Sequence, residues 1–302
     1  MKKLRFLLSL HTRDNDYQVA QAASAERIAR KLGIDLEIAY ADNDAVNQST
    51  QILNAIQARA ESRPDAIILE PISTIALPQA AGAACAAGIG WAVLNRTPDY
   101  VKQLRRTASA PVFAVSVDNH EVGRIQGRQF VALLPKGGAV LYVEGPSRSS
   151  SAQKRTAGML ESKSRNIQIS TLKGEWTEQS AQRAVRSWLK LATSQKASAD
   201  LVGAQDDSMA MGARKAFQEI ADLQEQKRWL SLPFTGCDGQ PETGETWVRE
   251  GLLAATVYIP PFAGKAIEIL ANAIKSGTQP PEHALTAPYS IPPLETLARR
   301  KS

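Results

Sequence analysis

The 302-residue chain is 43% hydrophobic and 22% charged, a composition typical of an ordinary globular protein. No stretch approaches the roughly 18 uncharged apolar residues that span a bilayer, and two cysteines are too few for a disulfide framework or a metal site. The net charge of +6 comes from scattered lysines and arginines, which favours a solvated surface over a nucleic-acid-binding patch.

Strand and helix patterns alternate from end to end. Apolar runs typical of strands occur at 4–10, 34–40, 66–69, 91–94, 112–117, 139–143, 167–172, 201–204, 232–236 and 253–259. Helical periodicity is clearest at 17–32 and 177–192. This alternation predicts parallel sheets flanked by helices. About ten strands exceed one comfortable sheet for this length, so we predict two α/β lobes.

Two segments bear on how the chain is organised. The apolar block from Phe6 to Leu10 is shorter than the roughly 7–15 residues of a signal-peptide core, and no small-residue cleavage site follows it. We therefore interpret it as the first strand. The stretch from Ala108 to Asp118 interrupts the alternation and is interpreted as a first crossing between the lobes.

The segment 201–217 joins a buried strand to a helix through two adjacent carboxylates, Asp206 and Asp207. In open α/β sheets, small molecules bind beyond the carboxyl ends of the strands, where this turn lies. One aspartate is expected to cap the helix. We expect Asp207 to be the cap and Asp206 to contact a ligand.

Polar and aromatic side chains follow most of the other strands as well. They are Asn15, Tyr17, Gln18, Glu70, Asn95, Arg96, Arg155, Trp176 and Asp238. Each one alone is as well explained as a cap, a turn residue, a surface ion pair or a core anchor. Together they suit a polyol, because carboxylates, amides and guanidiniums pair with hydroxyls and aromatic rings cover C–H faces.

Catalytic signatures are few. Phosphate-loop, serine-hydrolase, zinc-protease and EF-hand patterns are missing, and the three histidines are isolated. We predict neither a cofactor nor a metal site. A glycosidase needs only two carboxylates at a set separation, and Glu70, Asp206 and Asp238 could supply them. Catalysis by such a pair therefore stays open as an alternative.

With these residues assembled, the chain resembles the type I periplasmic binding proteins, specifically the ribose- and galactose-type sugar-binding proteins, and the related effector domains of lactose-repressor-type regulators. The resemblance runs from about Leu4 to Pro281. It is carried by 15–18 (NDYQ), Asn95-Arg96, 117–119 (VDN) with Gly123 and Gly127, 205–210 (QDDSMA) and 236–239 (GCDG).

The resemblance implies two Rossmann-like lobes, each a parallel sheet flanked by helices, joined by a three-crossing hinge with the ligand cleft between them. The lobes would comprise 1–116 with 260–285, and 117–259 with 286–302. The implied ligand contacts are Asn15, Tyr17, Gln18, Glu70, Asn95, Arg96, Arg155, Trp176, Asp206 and Asp238. Cys237 stands where an aromatic residue is common, and 258–260 lacks the expected glutamine.

We therefore expect a non-catalytic protein that binds a simple sugar or sugar-like polyol reversibly between two closing lobes, for ABC-type uptake or for sensing. A cytosolic sugar-sensing module without its own DNA-binding domain is an alternative, as is the glycosidase. The expected partners are the sugar and an ABC permease or sensor protein. We expect a monomer that neither binds nucleic acid nor inserts into membranes. The resemblance implies a periplasmic location, with a cytoplasmic one as the alternative because no signal peptide is evident.

Overall fold

The chain divides into two compact units. The computed structural model describes residues 3–13, 16–72, 77–191 and 199–299. The first unit is Met1–Val117 with Pro261–Thr286, and the second is Asp118–Pro260 with Ala287–Ser302. The chain therefore passes from one unit to the other after Val117, Pro260 and Thr286.

The first unit is a six-stranded sheet with helices. Its strands are β1 (Arg5–Leu10), β2 (Asp35–Tyr40), β3 (Ala66–Leu69), β4 (Gly90–Leu94), β5 (Val112–Val117) and β11 (His283–Thr286). Its helices are α1 (Asp16–Leu32), α2 (Ala45–Gln57), α3 (Leu77–Ala86), α4 (Asp99–Leu104) and α11 (Phe262–Ser276). The strand order is β11-β5-β4-β3-β1-β2, and every neighbouring pair is parallel.

The second unit repeats this plan. Its strands are β6 (Gly138–Glu144), β7 (Ile167–Lys173), β8 (Leu201–Ala204), β9 (Phe234–Asp238), β10 (Ala255–Tyr258) and β12 (Tyr289–Ile291). Its helices are α5 (Asn119–Leu133), α6 (Ser150–Ser162), α7 (Glu178–Leu189), α8 (Asp207–Gln218), α9 (Leu223–Leu230), α10 (Gly244–Arg249) and α12 (Leu294–Arg299). The order is β12-β10-β9-β8-β6-β7.

Apolar strands form the centre of each unit. All residues of β3, β4, β5 and β8 are buried, as expected for strands covered by helices on both faces. In the second unit, the rings of Phe217 and Trp229 stack with centroids 4.8 Å apart inside the core. Because these sheets are fixed by buried apolar residues, the polar residues after each strand are held at one edge of each sheet.

The predicted architecture of two α/β lobes with parallel sheets is confirmed. All ten predicted strands are present and pair in parallel, but the short strands β11 and β12 were not predicted. The added edge strand β12 pairs antiparallel with β10. An edge strand has only one neighbour to satisfy, so it can enter in either direction. Within the described ranges, no helix is long and apolar enough to cross a membrane.

Candidate functional site

In the first unit, a buried carboxylate connects two of the predicted site residues. Glu70 follows β3 and is only 4% exposed. Its Oε2 accepts a hydrogen bond from Nε2 of Gln18 (2.8 Å), and its Oε1 accepts one from Nδ2 of Asn95 (2.9 Å). The backbone N–H of His11 donates to Oε1 of Gln18 (3.0 Å). The loops after β1, β3 and β4 are therefore tied together through Glu70.

Gln48 was not predicted as a site residue, but it hydrogen-bonds to the same loop after β3. It is buried near the start of α2, and its Nε2 donates to the backbone oxygen of Glu70 (2.8 Å) and to Oγ of Ser9 (3.2 Å). Its Oε1 accepts from the backbone N–H of Ile72 (3.0 Å). Through these three hydrogen bonds, the buried side chain of Gln48 positions the loop after β3. The only sequence signal was a polar residue on the inner face of a helix.

The other predicted residues of this unit differ in their surroundings. Asn95 adopts a left-handed backbone conformation (φ 62°), and Arg96 beside it is exposed. Arg96 has no hydrogen-bond or ion-pair partner among the described residues. The ring of Tyr17 packs edge-on against Phe262, with centroids 5.8 Å apart. Asn15 lies outside the described residues.

In the second unit, Arg155 is the centre of the predicted cluster. It lies on α6 with its side chain 9% exposed. Its Nε donates to Oδ1 of Asn119 (2.9 Å), and its Nη1 donates to the backbone oxygen of Gln205 (2.5 Å). Its Cζ lies 5.4 Å from the ring centroid of Trp176, and Nη1 lies 4.0 Å from Oδ1 of Asp238. The structure thus brings together Arg155, Trp176 and Asp238.

Asn119 and Gln205, which hold Arg155, were not predicted as functional residues. Both are buried. The side chain of Gln205 also accepts from the backbone N–H of Gly145 (2.9 Å) and donates to Thr156 Oγ1 (2.9 Å), which joins the ends of β6 and β8 to α6. Both residues occur in the sequence motifs that carried the resemblance, so their position was visible but their role as supports was not.

Backbone conformation is unusual at several residues of the candidate site. Besides Asn95, Trp176 has φ 60° and Asp238 has φ 103°. Positive φ is uncommon outside glycine, and for a bulky residue it is an outlier that surrounding structure must maintain. At Trp176 the indole packs onto Gly145, where an added Cβ would lie 2.3 Å from the ring. The glycine therefore leaves the space that this ring needs.

The aspartate that caps α8 is Asp206, whereas Asp207 was predicted to be the cap. Asp206 is the N-cap of α8, because its Oδ1 accepts from the backbone N–H of Met209 (3.0 Å). Asp207 is 3% exposed and accepts from the Thr256 hydroxyl (2.6 Å) and the Gly239 N–H (2.6 Å). The prediction that Asp207 caps the helix is wrong, because α8 begins at Asp207 and directs its side chain between β9 and β10.

Asp206 lies close to Asp238, because β8 and β9 are paired in parallel in a register that continues to these two residues. Burial raises the pKa of Asp206, and it raises the pKa of Asp238 well above its usual range, where the charge of Asp206 adds to the effect. Arg155 opposes the shift in both. Burial also raises the pKa of Asp207 to about 8.

This arrangement suits binding better than hydrolysis. Asp206 gives one oxygen to the cap of α8, and Oδ1 of Asp238 lies 4.0 Å from Nη1 of Arg155, so each carboxyl group already has a partner in the protein. Both oxygens of Glu70 are already occupied by amides. Within the described part of the chain, no group of His, Cys, Asp and Glu side chains could hold a metal ion.

Comparison with known proteins gives the same family throughout. A ribose import binding protein of Bacillus subtilis is 23% identical over 96% of this chain and 87% of that protein. A D-apiose import binding protein of Paraburkholderia graminis is 27% identical over 90% of this chain and 82% of that protein. An ABC transporter periplasmic solute-binding protein from Actinobacillus succinogenes, solved with bound D-allose, shares the fold. Its TM-score is 0.81 at 23% identity, covering 98% of this chain and all of that one.

The family model described as "Periplasmic binding protein domain" matches residues 6–279, nearly the whole chain. This match confirms the resemblance drawn from the residues after the strands. The chain belongs to the periplasmic binding protein family.

Proposed function

We propose that this protein binds a simple sugar or sugar-like polyol reversibly, without chemical change, and delivers it to an ABC-type importer. One observation carries the proposal: Arg155, Trp176, Asp206 and Asp238 form a single cluster at the strand ends of the second unit. The import proteins of B. subtilis and P. graminis are named for ribose and D-apiose, which supports a carbohydrate.

The chemistry of the cluster matches the surface of a sugar. A guanidinium and two carboxyl groups can satisfy hydroxyls that both donate and accept, and the indole of Trp176 can cover a C–H face. Hydrogen bonds to charged groups contribute about 1.5–3 kcal/mol each, and a missing hydroxyl leaves a buried partner unsatisfied. We propose that the ligand also engages Tyr17, Asn95 and Arg96 from the first unit.

We also propose a periplasmic location and an ABC permease as partner. The family match and the names of two relatives as import binding proteins support this setting. Binding without catalysis requires no cofactor. A ligand can shift a protein between two conformations only if it binds one of them more tightly. The sugar must therefore prefer the conformation that the permease recognises.

A thermal-shift screen tests the proposal. The probes are pentoses, hexoses, deoxy sugars, sugar alcohols and sugar phosphates. Ligand at a hundred times Kd should stabilise the protein by about 2.7 kcal/mol, which is several degrees in Tm. Trp176→Ala should lose the shift, whereas Trp176→Phe should keep part of it because an aromatic face remains. If no polyol shifts Tm, or if NMR shows a product, the proposal is wrong.

A further inference from the structure

The cluster in the second unit carries more acid than base. Asp206 and Asp238 lie opposite each other at the ends of the paired strands β8 and β9. Asp206 is 7% exposed, and the side chain of Asp238 is 21% exposed. Arg155 is the single cation within this cluster among the described residues. Two of its nitrogens already donate to Asn119 and to the backbone oxygen of Gln205. Its single positive charge cannot balance two ionised carboxylates.

Hydrogen-bonding capacity narrows what can lie against this pair. One oxygen of Asp206 is used by the N–H of Met209. An ionised carboxylate accepts hydrogen bonds and donates none. A group that satisfies Asp206 and Asp238 together must therefore donate at least two hydrogen bonds. A neutral sugar must place two hydroxyls to do this, whereas a single ammonium has three N–H donors and can donate to both carboxylates at once.

Charge leads to the same answer. Two adjacent buried carboxylates repel each other, and each pays a desolvation cost that a nearby cation reduces. Asp207 takes no part, because the Thr256 hydroxyl and the Gly239 N–H occupy its oxygens. A ligand that brings its own positive charge would stabilise both carboxylates in their ionised form.

We propose that Asp206 and Asp238 select an amino sugar or amino-substituted polyol, whose ammonium group donates one hydrogen bond to each carboxylate. This inference rests on the proposed function and specifies its ligand class. It goes beyond the neutral sugars, ribose and D-apiose, for which the two import proteins compared above are named.

The proposal has a proton balance. Two neighbouring buried carboxyl groups favour holding one proton between them, because burial and mutual repulsion disfavour ionising both. When an ammonium ligand binds, the pair gives up that proton to the solvent and the ligand keeps its own. A neutral sugar causes no such release. The charged and titratable groups around the pair are Arg155 from α6, Asp207 from α8 and Cys237 from β9.

The test compares matched ligands. D-glucose, D-galactose and myo-inositol are each titrated beside their mono-amino-deoxy derivatives and the N-acetyl forms of those amines. Calorimetry at pH 7 in two buffers of different ionisation enthalpy counts the protons released. We expect one amino compound to bind at least tenfold more tightly than its hydroxyl and N-acetyl counterparts, with release of up to about one proton.

Variants connect the preference to the pair. Asp206→Asn should reduce the preference to about threefold or less, and it should still fold because asparagine is an equally good N-cap. Asp238→Asn is the second variant. Asp222→Asn, at the N-cap of α9 in the same unit, is the matched control and should keep the full preference.

The outcomes are distinct. If a neutral compound binds as tightly as its amino derivative, or if both site variants keep the full preference, the ammonium proposal is overturned while carbohydrate binding stands. If neither neutral nor amino compounds bind, the proposed function itself fails.

Discussion

Asp207 offers a direct test of how burial controls this part of the molecule. Its carboxyl group is 3% exposed and lies between the Thr256 hydroxyl and the Gly239 N–H. Asparagine has the same shape and is neutral at every pH. In Asp207→Asn, the amide oxygen can accept from Gly239, and the amide nitrogen can donate to Thr256. We therefore expect the variant to fold with the local contacts retained.

The magnitude follows from the pKa of Asp207, which burial raises from 3.8 to about 8. Below pH 4 this group is protonated in both the folded and unfolded states, so it contributes no pH dependence. Between pH 4 and 8 the unfolded chain loses the proton while the folded protein keeps it, so stability falls as pH rises. The slope approaches about 1.4 kcal/mol per pH unit, and the loss by pH 8 is on the order of 5 kcal/mol.

Urea unfolding followed by tryptophan fluorescence measures this effect, because Trp176, Trp188, Trp229 and Trp247 all belong to the second unit. At pH 4 the variant and the natural protein should differ little, which serves as the internal control. By pH 8 Asp207→Asn should be the more stable by several kcal/mol. Parallel curves of unfolding free energy against pH would refute the argument that burial keeps this acid protonated.

Three substitutions test the rest of the site. Glu70→Gln replaces an oxygen that accepts a hydrogen bond with an amide nitrogen that donates one. Calorimetry should therefore show a free energy of unfolding lower by about 1–3 kcal/mol, and an unchanged Tm would contradict the network. Gly145→Ala should displace the Trp176 ring and weaken sugar binding at least tenfold in a titration, and unchanged affinity would show that the ring position is unimportant. Arg96→Ala should weaken binding while changing the free energy of unfolding by no more than about 0.5 kcal/mol. A larger loss of stability would make Arg96 a structural residue.

Much of the fold could be predicted because its strands are continuous apolar runs. Strands such as β3 and β8 are buried on both faces, so their sequences contain no polar residue that could confuse the assignment. The strands β11 and β12 escaped prediction because they are short, half-exposed edge strands. Their place depends on pairing with β5 and β10 rather than on their own hydrophobicity.

The candidate site was predictable in composition but not in contacts. The rule that polar residues collect at the carboxyl ends of strands located Arg155, Asp206 and Asp238. It could not show which aspartate caps α8, because moving the start of the helix by one residue changes the capping residue. It also could not show that Asn119 and Gln205 hold Arg155, since such contacts join residues 36 and 50 positions apart.

The difference between Asp206 and Asp207 shows how the same residue type serves two purposes one position apart. Asp207 has both oxygens satisfied by its own unit, so no polar atom of its side chain is left for a ligand. Asp206 gives one oxygen to the helix and lies close to Asp238. Fixing one side of a carboxylate by a cap reduces the rotamer freedom lost when a ligand binds, which favours affinity. The cap at Asp206 therefore does not compete with a role in binding: it holds the carboxylate in place for it.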